Sequence, residues 1–182
     1  MNTSSIRIIG GRNKSYRIVF RASPDLRPTS DRAKETLFSW LQFEIENKSC
    51  LDLFAGTGGL GLEALSRGAK HVTFVEKEKV LHLNILKNIN RLGHKNNIEI
   101  IHNDAFRWLK TNERAFDYIF LDPPFDKVEY TDLLCKIYES KIINDGGKVF
   151  LETNKHAKLK LSDSRKILKN KIIGDVRLMI LQ

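Results

Sequence analysis

From Cys50 to Thr153 the chain repeats one pattern: an apolar, strand-like run followed by a stretch of different periodicity. The runs are CLDLFA, HVTFVE, IEIIH, DYIFLD and KVFLET. Between them, Leu60–Arg67, Val80–Leu92 and Tyr130–Ser140 carry apolar residues at helical spacing. Runs this apolar need cover on both faces, and strands that alternate with helices join in parallel. The expected fold is therefore α/β, a doubly wound sheet of five parallel strands. Two more runs, RKILKNKII and DVRLMILQ, are joined by Gly174-Asp175. Two residues are too few for a parallel crossover, so a C-terminal antiparallel pair is expected to close the sheet.

Residues 6–21 (IRIIGGRNKSYRIVFR) read as two short strands around Gly10-Gly11 and Asn13. Pro24 and Pro28 break the chain, and Thr29, Ser30 and Asp31 then offer N-caps for a helix over Asp31–Glu46. Its core face would be Ala33, Leu37, Trp40, Leu41 and Ile45. A length of 182 residues suits one domain. Residues 1–47 are read as an N-terminal extension packed on a core of residues 48–182. No apolar run could span a bilayer, and the first residues lack the apolar core of a secretory signal, so a cytoplasmic protein is expected. Cys50 and Cys135 each sit in an apolar stretch and read as buried, reduced thiols. The five histidines share no ligand spacing with each other or with the cysteines, so no metal is expected.

The net charge of +9 is unevenly spread. Residues 1–47 hold eight basic and five acidic side chains, residues 48–140 thirteen of each, and residues 141–182 ten and four. The first 23 residues carry five basic side chains (Arg7, Arg12, Lys14, Arg17, Arg21) and no acid. A phosphate backbone is the commonest partner of such an arm. The lysines from Lys155 to Lys171 read as a solvated face.

The first strand of the alternating region runs into Asp52-Leu-Phe-Ala-Gly56-Thr-Gly58-Gly59-Leu-Gly61, a glycine loop that opens a helix. There backbone N–H groups can approach a ligand closely. Glu76 ends the next strand, where an acid commonly holds ribose hydroxyls. These features alone admit a nicotinamide dinucleotide or another adenosine cofactor. Asp52 separates the two, because a carboxylate at the loop mouth opposes a pyrophosphate and attracts a ligand with a sulfonium and an ammonium, such as S-adenosylmethionine. After the third strand, Asp104 can accept from an adenine amine, with the Ala105 N–H facing a ring nitrogen, and Asp104 serves equally well as a helix N-cap.

Asp122-Pro123-Pro124-Phe125 follows the fourth strand at the same sheet edge. The prolines stiffen the turn and aim two acceptors, the Asp122 carboxylate and the Pro123 carbonyl, beside an aromatic ring. Two acceptors and no donor suit methylation of an exocyclic amine. Its two N–H bonds are held while the lone pair faces the methyl donor, and Phe125 stacks on the base. No covalent nucleophile or metal is needed.

DLFAGTGG, the acid of FVEKE, NDAF and DPPF, in this order, resemble the class I Rossmann-like methyltransferases. With RIIGGR, LRPTSDRAKETLFSWL and LDLFAGTGGLGLEALSRGA, the chain is more narrowly similar to RsmD-type guanine-N2 methyltransferases of bacterial 16S ribosomal RNA. The resemblance runs from about Arg7 to Leu181. It implies S-adenosylmethionine as cofactor, with Asp52, Gly56, Gly58 and Gly59 around its methionine end and Ala55, Thr57 and Lys77 as further cofactor-binding residues. Glu76 would bind the ribose hydroxyls, and Asp104 with Ala105 the adenine. It places the guanine amine against Asp122, Pro123 and Phe125. Arg7, Arg12, Lys14, Arg17, Arg27, Thr29 and Arg32 are the implied RNA-binding residues. The implied partner is 16S ribosomal RNA in a small ribosomal subunit, met by a monomer. Tyr16 and Asp25 stand where the family pattern has glycines. The residue pattern also admits three rivals: an adenine-N6 methyltransferase of DNA or RNA, a nicotinamide-dependent oxidoreductase, and a non-catalytic RNA-binding module.

Overall fold

The computed structural model describes residues 3–21, 26, 28–93, 95–124, 128–162 and 165–182. The chain begins with a hairpin of β1 (Thr3–Arg7) and β2 (Arg17–Arg21), followed by helix α1 (Asp31–Trp40). There follow β3 (Ser49–Asp52), α2 (Gly59–Ser66), β4 (His71–Glu76), α3 (Lys79–Leu92), β5 (Ile98–His102), α4 (Ala105–Leu109) and β6 (Phe116–Leu121). The chain ends with α5 (Tyr130–Glu139), β7 (Ile143–Asn154), β8 (Ile167–Ile173) and β9 (Val176–Leu181). The main sheet has the order β5-β4-β3-β6-β7-β9-β8. Its first five strands are parallel, and β9 runs antiparallel between β7 and β8. The winding reverses between β3 and β6, which opens a crevice at their carboxyl ends.

Strand residues alternate between two cores. Cys50, Phe74, Phe120 and Phe150 face one that includes residues of α1, α2 and α3. Leu51, Val75, Leu121 and Leu151 face the other, with Trp108 of α4 and Leu133 and Ile137 of α5. Because both faces are covered, the runs are apolar at consecutive positions.

The N-terminal hairpin and α1 pack on the first of these faces. Asn88 of α3 donates to Val19 O (3.0 Å) and accepts from Val19 N (3.3 Å), so its amide continues the backbone pairing of β2. The chain after β1 clamps the end of α2: Ile9 N donates to Glu63, Ser66 Oγ donates to Gly10 O, and Arg12 N donates to Ser66 O. Gly11 has φ +73, and a Cβ there would lie 1.9 Å from Ser66 O, so only glycine fits. Lys34 is fully buried in α1, bonded to Arg7 O and ion-paired with Asp31.

Three expectations need correction. Helix α1 stops at Trp40 and does not reach Glu46. The chain turns at Leu41 so that Ile45 enters the core while Glu44 accepts from Tyr118 Oη at 2.7 Å, a tertiary contact that outweighs local periodicity. Strand β7 starts at Ile143, before KVFLET, and its register against β6 shifts between Phe116 and Tyr118. Cys50 is buried as expected, but Cys135 is exposed on the outward side of α5; both are free thiols.

Candidate active site

The carboxyl ends of β3 to β7 open into a cleft of about 900 Å³, whose lining includes Arg21, Leu26, Pro28 and Thr29 from the N-terminal segment. The sheet register arranges four acids along it. Asp52 is in register with Phe74 on β4 and Phe120 on β6, and Phe120 with Phe150 on β7. Two residues further on come Glu76 at the end of β4, Asp122 just past the end of β6 and Glu152 on β7, and all four acids line the cleft. Asp52 thus forms the floor, below a row of three carboxylates.

Burial raises the Asp52 pKa to about 8, and the charges of Asp122 and Glu76 add to the rise, against the pull of a bond from Gly61 N to its Oδ2 (2.9 Å). Glu76 is also raised by burial, although its two oxygens accept from Gly56 N and Glu78 N, both at 2.7 Å. Through these bonds Glu76 fixes the glycine loop to the start of α3. A cation entering the cleft would favour the ionised form of every one of these acids.

The glycine loop divides its work. Ala55, Gly56, Thr57 and Gly59 line the cleft, and Gly58 is absent from the lining. Gly58 instead takes the left-handed N-cap of α2 (φ 77), facing Ile85. A Cβ on Gly61 would meet Phe74 at 2.2 Å, so that glycine lets α2 rest against β4. Lys77, Asp104 and Ala105 line the cleft. Asp104 does cap α4, its Oδ1 accepting from Phe106 N and Arg107 N.

Asp122 and Pro123 lie at the end of β6, and the Thr29 hydroxyl donates to Asp122 Oδ2 at 2.8 Å. Thr29 is buried inside the cleft wall. Phe125 and Arg27 lie outside the described residues. Of the other expected RNA-binding residues, Arg7, Arg12, Lys14, Arg17 and Arg32 are exposed on the N-terminal unit, and Arg7 bonds Asp31 at 2.7 Å. Among the described residues no cluster of His, Cys, Asp and Glu is arranged for a metal ion, and no helix is long and apolar enough to cross a membrane.

Sequence reasoning missed Glu152 and Arg21 as cleft residues. Glu152 reads simply as the polar end of KVFLET, and only the register places it beside Asp122. Arg21 reads as part of the basic arm, although its place at the end of β2, just before the prolines, brings it to the cleft.

The family described as Conserved hypothetical protein 95 matches residues 6–182. Proteins named Ribosomal RNA small subunit methyltransferase D are 37% identical in Buchnera aphidicola (96% of this chain, 91% of that one). In Haemophilus influenzae the identity is 37% (97% and 93%). The solved structure of yhhF from Escherichia coli is similar over 98% of both chains, with 31% identity and a TM-score of 0.86. A Haemophilus influenzae structure reaches 34% identity and a TM-score of 0.83, also over 98% of both chains.

Proposed function

This chain belongs to the ribosomal RNA small subunit methyltransferase D family, and we propose that it methylates N2 of a guanine in 16S ribosomal RNA from S-adenosylmethionine. The observation that carries the reading is the position of Asp122 and Pro123, one strand away from Asp52 and two from Glu76, in a single cleft. Acceptors for an amine and carboxylates for a cation thus meet at one place.

The cleft fits the cofactor chemically. Asp52 and Glu76, held against their own burial and mutual repulsion, gain from an ammonium and a sulfonium. Asp52, Ala55, Gly56, Thr57 and Gly59 surround the methionine end, with Gly58 shaping the loop. Glu76 and Lys77 attend the ribose, and Asp104 and Ala105 the adenine. When bound, the cofactor supplies an electrophilic methyl group.

The guanosine is turned out of its stack to reach this depth. The Asp122 carboxylate and the Pro123 carbonyl accept the two N–H bonds of the amine, leaving its lone pair aimed at the methyl. Asp122 also stabilises the positive charge that grows on nitrogen, and one N–H proton then leaves through Asp122 or to solvent to give the neutral methylamine. Phe125 of the DPPF motif supplies the stacking face. Thr29 acts through Asp122, while Arg7, Arg12, Lys14, Arg17, Arg27 and Arg32 meet phosphates. The chain works as one domain, residues 1–47 serving as its RNA-binding extension, and acts as a cytoplasmic monomer on the small ribosomal subunit.

The test is methyl transfer from labelled S-adenosylmethionine to small-subunit particles, free 16S RNA and duplex DNA, with nucleosides identified by mass. N2-methylguanosine from RNA or particles is expected. N6-methyladenosine, or label in DNA, would overturn the substrate.

A further inference from the structure

Asp122 has a neighbour that the mechanism above does not use. Leu121 and Leu151 are in register across β6 and β7. The next residues, Asp122 just past the end of β6 and Glu152 on β7, therefore follow directly on neighbouring strands, which lie about 4.8 Å apart where they pair. Glu152 is 5% exposed and lines the same cleft. It shares the face of Phe150, two positions before it, so it belongs to the row that contains Glu76 and Asp122.

We propose that Glu152 is the specificity-determining residue that selects guanine by accepting its N1–H; the proposal rests on the guanine-N2 reading above. On guanine the N1–H lies next to the N2 amine, so two adjacent donors meet two adjacent carboxylates. On adenine the atom beside the amine is N1 with a lone pair. Glu152, itself only 5% exposed, would then face an acceptor with an acceptor. Asp122 and Pro123 alone hold any exocyclic amine. Glu152 is what makes the pocket reject the wrong purine, because a site built to bond an N–H discriminates steeply against a base lacking it.

The experiment compares wild type and Glu152→Gln on reconstituted small subunits carrying either guanine or 2-aminopurine at the mapped methylation position. 2-Aminopurine keeps the amine and turns N1 from donor into acceptor. Wild type is expected to favour guanine in kcat/KM by about 100-fold or more. In Glu152→Gln the amide can donate to N1 of 2-aminopurine, and the preference is expected to shrink to within about tenfold. Binding of S-adenosylhomocysteine, measured in parallel, should be retained by the variant. An unchanged preference in the variant, or equal use of both bases by wild type, would overturn the proposal. A variant that no longer binds S-adenosylhomocysteine would also overturn it, by making Glu152 a structural residue. Failure of wild type to form any N2-methylguanosine would instead sink the functional reading, and this inference with it.

Discussion

Thr29 Oγ1 donates to Asp122 Oδ2 at 2.8 Å, tying the segment after β2 to the end of β6. The bond orients the Asp122 carboxylate from the N-terminal unit. It therefore links a unit that carries the basic residues to the group that holds the amine.

Asp122→Ala should lower kcat by about 10²–10³-fold, the loss that follows removal of one transition-state hydrogen bond. Cofactor affinity should change less. Thr29→Val keeps the shape and removes only the donor to a charged acceptor, so kcat should fall by about tenfold to a hundredfold. Steady-state turnover beside calorimetric cofactor binding checks both. Near-normal turnover by Asp122→Ala would remove it from the reaction.

Glu76 accepts from Gly56 N and Glu78 N, so it shapes the loop as well as meeting the ribose. Glu76→Ala should therefore weaken cofactor binding by about tenfold to a hundredfold, one or two charge-assisted hydrogen bonds. Calorimetric titration with S-adenosylhomocysteine gives the answer directly. An unchanged dissociation constant would contradict the ribose assignment.

The sheet was legible because its strands are buried on both faces: HVTFVE and IEIIH coincide with β4 and β5 residue for residue. Helix ends were less so, since α1 is cut short by a contact between Glu44 and Tyr118 that lies far away in sequence. The five-residue α4 is too short to show a period, and only its cap, Asp104, announced it. In the site, each acid that ends a motif was found. Glu152 belongs to no motif, and its role depends on which strand lies next to β6. The glycines of RIIGGR seat against Ser66 and Arg67, a packing role that no local pattern announces.

That seating gives a stability prediction. Gly11→Ala must adopt φ +73 and bring a Cβ to 1.9 Å from a backbone carbonyl. Strain and overpacking together should cost about 2–4 kcal/mol. Urea denaturation would show it as a lower midpoint with the same slope. A variant as stable as wild type would mean that the clamp yields freely.

Asp52 makes the cleft sensitive to pH. Its pKa of about 8 arises first from burial, then from Asp122 and Glu76. An unfolded aspartate titrates near 4, so the folded protein holds the extra proton between about pH 4 and 8, and this group's contribution to stability declines as pH rises through that window. A cationic ligand favours the ionised form. S-adenosylmethionine affinity should therefore rise from pH 6 to 8, by at most about tenfold per unit for one proton, and level off above 8. S-adenosylhomocysteine lacks the sulfonium charge and should follow pH less steeply. Asp52→Asn should flatten both profiles. A flat profile in wild type would remove Asp52 from cation binding.

The exposed basic residues of the hairpin can be separated from the cleft. Arg12, Lys14 and Arg17 are all exposed, and none lines the cleft. Replacing all three with alanine should leave S-adenosylhomocysteine binding unchanged and weaken RNA binding. Each lost phosphate contact should also reduce the slope of log affinity against log salt by about 0.7–0.9, because fewer counterions are released. Affinity for 16S RNA across a salt series, with and without the substitutions, tests this. An unaltered slope would place the RNA on another face of the protein.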